Sequence, residues 1–268
     1  MILEMLKLSI ILVVSLIGMY FVFGFIYQII EAKSNYYIIK TFGLNGLLIT
    51  GIGTVIHEFS HYLMCKIFGH NVTEVKLFRP FKFKDDGILG YVKHSYDRNS
   101  LLQRIGNFFI GIAPMIIGTL VMLLILIILF PKLYTSFNYS IKISEPIDIF
   151  KVFTENMGMF YESIFNANNI VDIKFWIFIY LMLSITLHMS LSKPDLENAK
   201  EGLLYIFILS IFIAFIFHIF NLDILKMFSY ILIYNSFLFS LLSLGLIFSI
   251  IGLFITYVMY KVKQFIIR

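Results

Sequence analysis

The chain has 268 residues, of which 60% are hydrophobic and 14% charged, with a mean hydropathy of +0.91 and a formal net charge of +5. A soluble domain carries about 25% charged residues, so this composition excludes an ordinary soluble enzyme and points to a bilayer as solvent. The basic residues lie between apolar runs rather than in a patch, which argues for membrane orientation and against nucleic acid as a partner. Cys65 is the only cysteine, which excludes an intrachain disulfide and reads as a small buried apolar residue.

In chain order, runs long enough to span a membrane are expected at Leu6–Ile30, Phe42–Phe68, Leu101–Phe130, Ile173–Leu191, Leu203–Phe220 and within Tyr230–Tyr260. The first run is too long for a signal-peptide core and reads as a retained span. This predicts an α-helical polytopic membrane protein with about six transmembrane helices. It is expected to form a single transmembrane domain over 1–268, with a core at about 42–200 and further spans at 201–268.

Between the second and third runs, Val72–Arg79 and Ile88–Tyr96 alternate and are rich in Val, Phe and Tyr, with Asp85-Asp86-Gly87 between them. This predicts a small β-hairpin at the membrane surface. His70 and His94, in the same region, read as surface histidines. Apolar residues at helical spacing over Ile147–Phe165 predict an interfacial amphipathic helix. Sorting Lys and Arg by loop gives 14 on one side and 7 on the other, which predicts a multi-pass protein of the cell membrane with both termini cytoplasmic.

The second run carries the chemistry, His57-Glu58-Phe59-Ser60-His61. Positions i and i+4 share a helix face, so both imidazoles can reach one metal ion, and Glu58 lies beside them as a general base. With 6 His and 9 Glu in the chain, random order produces this pattern about 0.004 times per chain. Ionisable residues within a span are costly, which makes them functional candidates. A catalytic zinc needs a third protein ligand. Asp195, after Lys193-Pro194, suits that role, and equally suits the first turn of a new helix as a capping acid. His188 is the competing ligand or a partner to one, and Glu197 a further candidate. Asn107 opens the third span and suits either a substrate backbone contact or an interhelical hydrogen bond. Gly46, Gly51 and Gly53 precede the motif, Gly51-Ile-Gly53 making a small-residue face for another helix, and Gly111, Pro114 and Gly118 predict a bend and close packing beside it.

Together, the HExxH motif in an early span, the β-rich segment after it and an Asp near the end of a later span resemble the site-2-protease family of intramembrane zinc metalloproteases. The resemblance covers about Leu44–Ala199. It implies a zinc ion held by His57, His61 and Asp195, with Glu58 catalytic. It also implies a site nearer the cytoplasmic face and a transmembrane protein or peptide as substrate. Gly111-Ile-Ala-Pro114 is similar to the family's Gly-Pro element. Lys193-Pro194-Asp195-Leu196 lacks the glycine that follows the family's Asp. The alternative reading is a metal-binding membrane protein, either a carrier or an inactive relative that binds clients.

Overall fold

The computed structural model describes residues 2–131, 149–220 and 222–267. Its principal helices are α1 (Ile2–Phe42), α2 (Gly51–Ile67), α3 (Leu101–Gly111), α4 (Ala113–Leu129), α5 (Ile149–Ile164), α6 (Ile173–Thr186), α7 (Lys193–Ile219) and α8 (Ile224–Ile267). A two-stranded antiparallel sheet, β1 (Asn71–Lys76) and β2 (Tyr91–Ser95), follows α2.

Among the described residues, three helices are long and apolar enough to cross a membrane, at Leu6–Phe42, Lys193–Ile219 and Met227–Ile267. The α3–α4 pair, bent by 61°, makes a fourth if it counts as one span. Six spans are therefore not supported among the described residues. The second apolar run is divided between a 3-10 segment, Leu44–Thr50, and the 17 residues of α2; the fourth run yields the 14 residues of α6. Both helices fall short of the roughly 20 residues a bilayer demands. The first and last helices are longer than hydropathy alone predicts, with 41 and 44 residues.

α1 and α8 pair along their length. Tyr20 and Tyr234 join hydroxyls at 2.9 Å, the Tyr27 hydroxyl donates to the Leu242 carbonyl, and Lys263 Nζ donates to the Thr41 carbonyl. Residue numbers rise together on both helices, so they run parallel and their C-terminal ends lie together. The start of α1 and the end of α8 consequently lie at opposite ends of this pair.

The core lies between these helices and α4, α6 and α7, with Tyr27, Phe108, Met122, Phe178 and Phe248 almost fully buried. Over the stretch Ile147–Phe165 expected to be helical, the chain forms α5, with Ile147 and Asp148 outside the described residues. It packs on α8, where Asn156 donates to Ser240.

The sheet differs from a tight surface hairpin. Its strands are shorter than expected and the connection, Leu77–Gly90, is long. Asp85-Asp86-Gly87 does turn the chain, as the end of a short helical segment closed by Gly87 at φ 74°. The connection folds back along α2: an added Cβ at Gly51 would lie 2.5 Å from the Phe78 ring, and one at Gly90 would lie 2.7 Å from Glu58 Cγ. The sheet thus runs beside the motif helix instead of lying beyond its end.

Candidate metal centre

The motif residues lie on α2, and four hydrogen bonds hold it and the 3-10 segment before it in register with α6 and the turn after it. Tyr180 donates to the Ile49 carbonyl at 2.9 Å. Ser184 Oγ accepts from Gly53 N at 2.9 Å and donates to the Thr50 carbonyl at 3.0 Å. The His188 carbonyl accepts from His57 Nδ1 at 2.8 Å. Positions 180, 184 and 188 lie one helical turn apart, as do 49, 53 and 57, so the two segments run parallel with a constant offset of 131 residues. Gly53 permits the contact, since a Cβ there would collide with the Ser184 carbonyl and lie 2.6 Å from His188 Nδ1. Of the glycines before the motif, Gly53 packs against α6, whereas Gly51 faces Phe78 and Gly46 faces Ile38 and Phe42 of α1.

His57 and His61 bring their Nε2 atoms to 3.1 Å. Each ring is fixed from behind. His57 Nδ1 donates to the His188 carbonyl and His61 Nδ1 donates to the Ile110 carbonyl at 2.9 Å. A carbonyl can only accept, so both Nδ1 atoms carry the proton and both Nε2 lone pairs face the same space. The acceptors are carbonyls released by helix breaks. Pro114 has no N–H to bond Ile110 four residues earlier, and His188 lies just past the end of α6. The bend expected at Gly111–Pro114 is present and supplies a ring-orienting acceptor.

Asp195 completes the group. Its Oδ1 is 3.3 Å from His61 Nε2 and its Oδ2 is 3.8 Å from His57 Nε2. One ligand atom from each of His57, His61 and Asp195 lies within 4.8 Å of the others. Asp195 also closes a capping box at the start of α7: Ser192 N donates to Oδ2 at 2.8 Å, and Asp195 N donates to Ser192 Oγ at 3.3 Å. The capping reading is realised through Oδ2, and the same carboxylate faces both imidazoles, Oδ1 toward His61 and Oδ2 toward His57. Close packing of α7 on α3 holds it there, since an added Cβ at Gly111 would collide with the Asp195 carbonyl.

Two imidazole nitrogens and a carboxylate oxygen, with both rings oriented and His61 and Asp195 buried, are a donor set that suits a zinc ion. His188 contributes its carbonyl rather than its ring, which bonds the Ser184 carbonyl through Nδ1. Glu197 is exposed on α7 and outside the group. Glu58 sits next to His57 with its side chain against Gly90. Asn107 is fully buried, and neither amide atom makes a full hydrogen bond. It precedes Gly111 by one turn on α3 but is outside the metal group.

Two participants were not legible. Gly90 gives Glu58 its space, and no local pattern distinguishes it from a turn glycine. Glu31 on α1 lies within electrostatic reach of His57 and His188, and its Oε2 is buried without a hydrogen-bond partner. A lone carboxylate at the end of an apolar run was its only signal.

Comparison with protein-family models, with curated proteins and with solved structures found no match to this chain.

Proposed function

We propose that the protein is an intramembrane zinc metalloendopeptidase similar to the site-2 proteases. The observation that carries this reading is the convergence of His57 Nε2, His61 Nε2 and the Asp195 carboxylate beside Glu58, within a bundle of apolar helices. A zinc ion bound there would polarise a scissile carbonyl and acidify a bound water. His57 and His61 present neutral lone pairs, each ring held by its Nδ1 hydrogen bond. Asp195 supplies negative charge at the same point. Glu58 accepts the proton of the attacking water and returns it to the leaving amine nitrogen. The apolar walls exclude bulk solvent, which strengthens each of these interactions. The β1–β2 sheet runs beside Glu58, so an extended substrate segment added to its edge would lie alongside the reacting group. The substrate class is a transmembrane protein or peptide whose helix has unwound locally.

The test uses purified full-length protein and a single-span model substrate with an Asn-Pro break in its apolar helix. Wild type is expected to hold zinc and to cleave. Glu58→Gln is expected to keep zinc and lose about 10²–10⁴ in rate. Unchanged cleavage by Glu58→Gln would remove Glu58 from the mechanism. Zinc binding without cleavage by wild type would favour the metal-binding or inactive alternative.

A further inference from the structure

A second group of ligand-type side chains lies outside the first. Cys65, His70 and His94 each place one ligand atom within 4.8 Å of the others. The sequence brings them together in three steps. α2 ends in a Schellman turn: His70 N donates to the Cys65 carbonyl at 2.8 Å and Gly69 N to the Lys66 carbonyl at 3.3 Å. Gly69, at φ 71°, makes that reversal, so His70 is carried back onto the turn that holds Cys65. Antiparallel pairing of Val72 with His94 then sets His94 beside His70.

Hydrogen bonding fixes one ring. His70 Nε2 donates to the Gln103 carbonyl at 2.9 Å, which leaves Nδ1 as a lone pair. That Nδ1 is 3.0 Å from Nδ1 of His94. The arrangement repeats the first site, where an imidazole N–H bonded to a carbonyl aims the opposite nitrogen at a second imidazole. Cys65 is fully buried and His70 nearly so, Tyr96 stacks on the His70 ring, and His94 is partly exposed. Atoms this close can share an ion at bond lengths of about 2.0–2.3 Å.

We propose that Cys65, His70 and His94 form a second metal site that takes a borderline-soft divalent cation, zinc foremost, and fastens the β1–β2 sheet to the end of the motif helix. One thiolate and two imidazoles select zinc over magnesium or calcium, which prefer oxygen ligands. The partly exposed side at His94 admits a water or an exogenous fourth ligand. The site joins α2, the residue before β1, and β2, and through Gln103 it reaches α3, so it fixes the base of the sheet, whose connection at the far end lies on Glu58 and Gly51. A simple His70–His94 hydrogen bond is the competing account of the same contact.

Cobalt separates the two. The chain has one cysteine, and His57, His61 and Asp195 contain no sulfur, so a thiolate-to-cobalt charge-transfer band reports Cys65 alone. Full-length protein is freed of metal and loaded with Co²⁺ in mild detergent under a thiol-free reductant. The band is expected in wild type and in His57→Ala/His61→Ala, and is expected to vanish in Cys65→Ser and weaken strongly in His94→Ala. Zinc content is expected to fall from two to one per chain in either of the last two variants. No band in wild type, or an unchanged zinc content in His94→Ala, would overturn the proposal and leave the hydrogen bond as the account. His94→Ala guards against misfolding of the buried Cys65 variant, and the sulfur band remains readable if the first site holds no metal.

Discussion

His57 donates its Nδ1 proton to the main-chain carbonyl of His188 across an interval of 131 residues. The same interval separates Gly53 from Ser184 and Ile49 from Tyr180. A single register of two parallel helices therefore orients the first imidazole of the motif. The register is polar along one face of α6 and depends on the absence of side chains on the facing part of α2. Ring orientation at the metal group is a product of helix packing, not of the motif alone.

Gly53 is where that register is most vulnerable. A methyl group there meets the Ser184 carbonyl and the His188 ring, and backbone cannot yield as a flexible side chain does. Gly53→Ala is expected to separate α2 from α6 and to cost about 1–3 kcal/mol, the range for overpacking. The readouts are the thermal midpoint in detergent and zinc affinity, and both should fall. Gly158, with open space around it, provides the control; an equal loss in Gly158→Ala would mean that the packing at Gly53 is not special.

Asp195 carries two loads that substitution can separate. Asp195→Asn keeps an oxygen able to accept from Ser192 N but removes the carboxylate charge facing His57 and His61. Asp195→Ala removes both, with a capping cost of about 1 kcal/mol. Zinc affinity is expected to fall steeply in both variants, whereas thermal stability without metal should fall only in Asp195→Ala. If Asp195→Asn bound zinc as wild type does, the carboxylate would have no part in holding the ion.

The motif itself was readable because i and i+4 spacing fixes the geometry of two rings on any helix. Pro114 and the glycines before His57 were readable as devices for bending and close packing, and both occur beside the metal group. The span count was not, since hydropathy marks an apolar run without showing where a helix within it stops. The run from Phe42 to Phe68 contains a 3-10 segment that packs on α1 at Gly46 and bonds α6 through Tyr180. His70, His94 and Cys65 were taken separately because nothing local shows that a Schellman turn and one strand register will superimpose them. The direction of α8 was likewise hidden, since charge counts depend on the number of crossings assumed.

Acid should loosen the sheet and its connection before it affects the apolar bundle. The Tyr91 hydroxyl and Lys93 hold the Glu74 carboxyl below the usual carboxylate range, and the Ile88 N–H and Arg79 do the same for Asp86. A carboxyl whose folded pKa is depressed contributes stability above its unfolded pKa and loses it as pH falls through the folded value. Amide exchange of Leu77–Gly90, corrected for the intrinsic pH dependence of exchange, is therefore expected to accelerate as pH drops below the ordinary carboxylate range. Glu74→Gln should remove part of that pH dependence in β1 and β2. A flat response in wild type would mean that these exposed contacts do not hold the sheet.

The parallel pairing of α1 and α8 makes a prediction about topology. Tyr20 meets Tyr234, Tyr27 meets Leu242, Tyr37 meets Tyr257, and Thr41 meets Lys263. Four contacts rising together along two helices of more than 40 residues fix their relative direction. If both helices cross the bilayer, their N-terminal ends emerge on one face and their C-terminal ends on the other. Short tags placed before Met1 and after Arg268 are then expected to be reachable by a membrane-impermeant reagent from opposite sides in oriented vesicles. Labelling of both tags from one side would require one of the two helices to lie along the bilayer or to re-enter it, and would restore the arrangement that the distribution of Lys and Arg favours.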